Sequence, residues 1–152
     1  SIKVFVRSHY EDVLIQRVHK WIDSKKVNMR IEAINAFEKL LQEDNNTTVL
    51  KFFLNISKKR QLEKLTERIE VVEKNFKHND GDWEERKHWR KYMNAYQDAM
   101  NKSDIPWITV PADQRWYRNY YVAKHVLKTL ESFKESYPAL KEVPKVDYKN
   151  AK

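Results

Sequence analysis

The segment PADQRWYRN, Pro111 to Asn119, sets arginines beside aromatic rings and a carboxylate directly after an apolar run, and VRSHYEDVL, Val6 to Leu14, has the same arrangement near the start of the chain. Arginine forks grip phosphate oxygens, carboxylates orient a divalent cation through its water, and flat rings stack a base. In a parallel sheet such groups collect at the carboxyl ends of the strands, and three charged ends are present: Arg7 to Asp12, Ser57 to Arg60, and Ala112 to Arg118. At the first, Arg7 would hold a phosphate while Glu11 or Asp12 orients Mg²⁺. The same acids read equally well as the dipole-favoured first turn of a helix. At the third, Asp113, Arg115, Trp116, Tyr117 and Arg118 offer a stacking plane with arginines for phosphates, or Trp116 and Tyr117 pack a helix on the sheet.

Between these ends, Ser57 to His78 carries seven cations, Lys58, Lys59, Arg60, Lys64, Arg68, Lys74 and Lys77, against Glu63, Glu67, Glu70 and Glu73. They would wrap a phosphate chain and neutralise charge as it develops in transfer. The other reading is a solvated helix laced with Glu-to-Lys pairs. Gly81 is the one glycine, so the sequence holds no G-x-x-x-x-G-K phosphate loop, which needs two. The lack of cysteine excludes disulfides and thiolate metal sites, and His9, His19, His78, His88 and His125 show no H-x-x-x-H spacing that would favour zinc. No G-x-S-x-G elbow supports a nucleophilic serine.

The elements that must position these groups follow from periodicity. Ile2 to Val6 reads as a first strand, Val49 to Ile56 as a second buried on both faces, and Trp107 to Val110, bracketed by Pro106 and Pro111, as a third. Tyr10, Val13, Leu14, Val18 and Trp21 recur at helical steps, as do Ile31, Ile34, Phe37 and Leu41, which predicts two amphipathic helices. Ser57 would cap a helix marked by Leu62, Leu65 and Ile69. Asn79 to Gly81 reads as a loop before one helix over 82–101. A last helix over 114–135 would turn Tyr120, Ala123, Leu127 and Leu130 inward, ahead of a polar tail containing Pro138 and Pro144. Strands alternating with helices predict an α/β domain with a parallel sheet.

Composition sets the remaining bounds. The 152 residues suit one domain with a real core, and a hydrophobic fraction of 41% argues against disorder. No apolar run approaches the roughly 18 residues of a membrane span, and no signal peptide is visible, so cytoplasm is the simplest location. Thirty Lys and Arg against 22 Asp and Glu give a net charge of +8, a field that draws polyanions. The chain opens on Ser1 and runs directly into an apolar stretch, which reads as a piece of something longer.

RSHYEDVL, FFLNISK at 52–58, WEERKHW at 83–89 and VPADQRWYRN at 110–119 match, in order and approximate spacing, the motifs of the polyphosphate kinase 2 family, and the chain resembles its carboxyl-terminal two-thirds. RSHYED is similar to the branch that phosphorylates nucleoside mono- and diphosphates from polyphosphate. The resemblance implies a P-loop kinase core like thymidylate kinase, a parallel sheet with flanking helices, strongly helical, with a helical lid over about 57–86 and a polar tail over about 137–152. It implies substrates, inorganic polyphosphate and AMP or ADP, with Mg²⁺ between them. Arg7 falls in the Walker B region, with Glu11 and Asp12 beside it. Lys58, Arg68, Lys74 and Lys77 belong to the lid, and Asp113, Trp116, Tyr117 and Arg118 lie in the nucleotide loop after the last core strand.

The departures carry expectations too. Val6 stands where the family has Asp or Asn and cannot ligate a metal, so the metal-binding residues stay open. Lys59, Arg60 and Arg90 stand where the family is commonly acidic. The family's first strand, Walker A loop and second strand have no counterpart in this sequence. A single partial kinase domain is therefore expected, poor at transfer alone and needing a partner segment or a homo-oligomer to complete its site. A non-catalytic polyphosphate-binding relative is the alternative. A nucleic-acid module rests only on charge and the basic-aromatic clusters, with no specific motif behind it.

Overall fold

Apolar residues at three- and four-residue steps bury one face each of α1 (Glu11–Val18), α2 (Ser24–Asn45) and α5 (Trp89–Asn101). Val13, Leu14 and Val18 meet Val27, Ile31 and Ile34, and the small Ala95 and Ala99 let α5 approach closely. This computed structural model describes residues 2–134 and residue 136. The remaining elements are β1 (Lys51–Asn55), α3 (Lys58–Glu70), a 3-10 turn (Val72–Lys77), α4 (Asp80–Lys87), β2 (Trp107–Pro111) and α6 (Arg115–Ser132).

β1 and β2 pair in parallel, with Lys51 opposite Trp107 and Asn55 opposite Pro111. Parallel pairing puts both carboxyl ends on one side, so the residues that follow, Ser57 and Asp113, are neighbours. Ser57 caps α3, its hydroxyl accepting the Arg60 N–H at 3.0 Å, as predicted.

Four expectations are corrected. Ile2 to Val6 forms no strand: among the described residues the sheet has two strands, and a strand with no partner cannot satisfy its backbone. Phe5 and Val6 are 80% and 98% exposed. β1 is not buried on both faces, since Leu54 is about half exposed. Asn79 to Gly81 is a helix start, with the Asn79 side chain accepting the Gly81 N–H at 2.8 Å, and the single helix predicted over 82–101 breaks at His88 into α4 and α5.

α6 is turned the other way. Tyr120, Ala123, Leu127 and Leu130 face outward, while Tyr121, Val122, His125, Val126 and Thr129 are half-buried, with the His125 ring 6.2 Å from Phe52. Periodicity shows that a helix has an apolar stripe, not what the stripe faces. Phe37 of α2 is likewise exposed, and Glu38 beside it is buried. The tail with Pro138 and Pro144, and Glu135, lie outside the described residues.

Candidate functional site

Asp113 Oδ1 accepts the backbone N–H of Ser57 at 2.7 Å, tying the two strand ends together. That hydrogen bond holds the Asp113 carboxyl below the ordinary aspartate range. Two cavities open on either side of the tie, one of about 270 Å³ and one of about 250 Å³. The first is walled by Ser57, Lys59, Arg60, Glu63, Asp113 and Gln114. The second gathers five cations, Arg60 and Lys64 of α3, Lys74 of the 3-10 turn, and Arg115 and Arg118 of α6, with Glu67 among them. Arg60 and Asp113 are walls of both.

The electrostatics are those of a site short of anions. The Lys64 ammonium is pushed down by desolvation first and then by the neighbouring Arg60, Arg115 and Lys74 charges. Arg60 Nη1 is held by Glu63 at 2.7 Å and lies 3.7 Å from Glu67, while Lys74 Nζ donates to Glu67 at 2.7 Å. The Lys74 bond, then its charge, draws the Glu67 carboxyl down.

The sequence-predicted residues divide. Lys74, Asp113 and Arg118 line the cavities. Trp116 is 68% exposed next to them, its ring edge-on to Tyr117 at 5.5 Å, which leaves a free face for stacking. Lys58 is exposed at the start of α3, its carbonyl accepting from Arg86. Arg68 pairs with Asp82 and so joins α3 to α4, and the Lys77 ammonium lies over the Phe76 ring. Arg7 pairs with Glu11 at 3.8 Å, and Asp12 accepts from Gln16. None of these last six lines either cavity. Arg60, Lys64 and Arg115, which the sequence offered only as members of wider basic clusters and the resemblance left out, join the site. Their signal was positional: residues 60, 64 and 67 fall on one face of a helix.

Two polar clusters outside the site also escaped the sequence. Lys51, the first residue of β1, is buried with Glu38 at 2.7 Å and donates to the Tyr10 hydroxyl at 2.8 Å. At the break between α4 and α5, His19 Nε2 bonds Glu85 at 2.8 Å, the Tyr92 hydroxyl donates to the same carboxylate at 2.6 Å, and Trp21 stacks on the His19 ring.

A parallel strand pair whose ends open a cation-lined cavity beneath a helical segment is a phosphate-handling α/β plan, and P-loop-kinase-like folds have that plan. The family model for Polyphosphate kinase 2 matches residues 1–138. The chain belongs to the polyphosphate kinase 2 family. It is 41% identical over 141 residues to the AMP/ADP-polyphosphate phosphotransferase of Meiothermus ruber, covering 91% of this chain and 52% of that one. The crystal structure of Polyphosphate Kinase 2 from Arthrobacter aurescens superposes with a TM-score of 0.87 at 39% identity, over 91% of this chain and 50% of that one. The chain thus spans about half the length of these relatives. An uncharacterized protein of Leptolyngbya boryana, 40% identical over 126 residues, is covered for 92% of its length. No helix among the described residues is long and apolar enough to cross a membrane.

Proposed function

We propose that this chain supplies the phosphate-gripping and acceptor side of a polyphosphate-dependent nucleotide phosphotransferase, moving a phosphoryl group between inorganic polyphosphate and AMP or ADP. The observation that carries the reading is the convergence of Arg60, Lys64, Lys74, Arg115 and Arg118 on one cavity at the strand ends. That the Meiothermus ruber relative is an AMP/ADP-polyphosphate phosphotransferase supports these substrates. In such a transfer the acceptor oxygen attacks in line and charge spreads over the outer oxygens of the moving group, so the protein's task is positioning and electrostatic stabilisation. The five cations grip the polyphosphate, Trp116 with Tyr117 stacks the base, and the lid over about 57–86, carrying Lys58, Arg68 and Lys77, closes on both. Arg7 would hold a further phosphate, with Glu11 or Asp12 orienting Mg²⁺ through its water, outside both cavities. This makes 1–152 one partial kinase domain, working in the cytoplasm, where nucleotides are at hand.

Mg²⁺ enters this reading only as a companion of the phosphates. Among the described residues no three His, Asp or Glu side chains are placed to hold an ion, and Val6 beside Arg7 has no donor to offer. The amides that would cradle the β- and γ-phosphates also lie outside this sequence, so they must come from a further segment or from a partner chain that carries them. The test is transfer from polyphosphate to ADP and AMP by this chain alone and mixed with the amino-terminal half of the Meiothermus ruber relative. Activity that emerges only in the mixture supports the reading. An inactive but folded mixture overturns it in favour of a non-catalytic polyphosphate binder, the reading that the missing loop and the exposed Val6 favour.

A further inference from the structure

Glu67 stands inside the cationic cavity. One oxygen accepts from Lys74 Nζ at 2.7 Å and the other lies 3.7 Å from Arg60 Nη1, so a single carboxylate bridges a cation of α3 and a cation of the 3-10 turn. Lys64, Arg115 and Arg118 face the same space and make no ion pair with a carboxylate among the described residues. The buried Nε of Arg60 has no hydrogen-bond partner there either. Cations held this close repel, and the strain is relieved either by an anion of the protein or by an anion of the ligand.

We propose that Glu67 is a built-in counter-anion: it holds the place between Arg60 and Lys74 that one phosphoryl group of a polyphosphate takes, and it yields that place when the chain enters. The proposal rests on the polyphosphate reading and adds selectivity to it. A tethered carboxylate competes at a high effective concentration, so an anion that reaches only those two cations is a poor competitor. A polyphosphate held at the same time by Lys64, Arg115 and Arg118 displaces it. Glu67 therefore stabilises the empty cavity and discriminates a long phosphate chain from orthophosphate and from the short phosphate tail of ADP.

The test is the affinity of the whole 152-residue chain for polyphosphate, orthophosphate and ADP, measured for Glu67→Gln and for Glu73→Gln. The second variant makes the same change in net charge on a residue that lines neither cavity. Glu67→Gln is expected to bind polyphosphate about fivefold tighter, with a salt slope steeper by about 0.7 and a greater relative gain for orthophosphate and ADP. Glu73→Gln should stay within about twofold of wild type. Equal tightening in the two variants, or weaker binding in Glu67→Gln, overturns the proposal. If Glu67→Gln lowers the thermal midpoint, Glu63→Gln frees the same Arg60 and must itself tighten binding; unchanged affinity there also overturns it. Lys64→Ala with Arg115→Ala separates the two levels. Loss of polyphosphate binding in that variant keeps the cavity as the site whatever Glu67 does, and unchanged binding removes the cavity and the proposal with it.

Discussion

Asp113 and Ser57 stand in equivalent places, each two residues beyond its strand, and the Asp113 carboxylate accepts the Ser57 backbone N–H at 2.7 Å. One bond thus couples the turn that leads into α6, where Trp116 stands, to the first turn of α3. Asp113→Ala is expected to speed amide exchange at residues 57–61 and to weaken polyphosphate binding by about tenfold, the order of one hydrogen bond to a charged group. Exchange rates unchanged from wild type would show that the strand pairing alone sets the register of the two ends. The folded carboxyl titrates below its ordinary value of 3.8, so the tie is present above that value and is lost as pH falls through the lower, folded one.

The cations that line the cavity should outrank Lys58 and Arg68, which do not. Lys64→Ala with Arg115→Ala is expected to weaken polyphosphate binding by more than about tenfold and to flatten the log–log salt slope by about 1.4. Lys58→Ala with Arg68→Ala should flatten it less, since Lys58 points to solvent and Arg68 is engaged by Asp82. Equal slopes for the two double variants would move the phosphate path out of the cavity and along the outer face of α3.

Trp116 is mostly exposed, so Trp116→Ala should leave the thermal midpoint close to wild type. Base stacking on a ring is worth roughly 1–3 kcal/mol by alanine substitution, which predicts at least a several-fold loss of AMP or ADP affinity with polyphosphate affinity retained. Calorimetric titration with each ligand separates the two. Parallel losses would assign Trp116 to folding.

The buried Lys51–Glu38 pair makes the sharpest stability prediction. Removing one partner strands a buried charge, so Lys51→Met is expected to cost about 3–5 kcal/mol in urea unfolding. Lys51→Met combined with Glu38→Leu should recover most of that loss, because the apolar pair needs no solvation. A double variant as unstable as the single one would mean that the Tyr10 hydroxyl, which also accepts from Lys51, is the partner that matters.

At the α4–α5 break the Glu85 carboxyl is held down, first by the Tyr92 hydroxyl and then by His19 and His88, against a smaller opposing effect of burial. A depressed folded value means that this contribution is complete above the ordinary glutamate value of 4.5 and fades on acidification below it. Wild type should therefore lose thermal stability more steeply than Glu85→Gln as pH falls below that ordinary value of 4.5. Superimposable profiles would remove the His19–Glu85–Tyr92 cluster as an anchor of the α4–α5 break.

The sequence was most legible where local chemistry decides. Ser57 could be read as a cap and 107–110 as a strand from neighbouring residues alone, and the parallel pairing followed from the alternation of elements. It was least legible where a partner decides. Ile2 to Val6 has the composition of a strand and no ladder to join, and the stripe of Tyr120 and Leu127 faces outward because the other face of α6 meets the sheet. The site was half legible. Lys74, Asp113 and Arg118 were singled out by the family resemblance, but which cations of α3 turn toward them depends on helix phase, and that phase is fixed by the buried Leu65.

Lys20 and Asn46 end α1 and α2 in the left-handed region, at φ of 58° and 48°, each followed by an N–H that reaches back to the last turn. The one glycine of the chain serves neither turn. Mutational drift at these two sites is therefore unequal in its consequences. Glycine or asparagine enters position 20 freely, whereas β-branched residues meet the steric wall that the left-handed region raises against them. A library selected for heat tolerance is expected to return Lys20→Gly or Lys20→Asn early, and to leave Asn46 as it is.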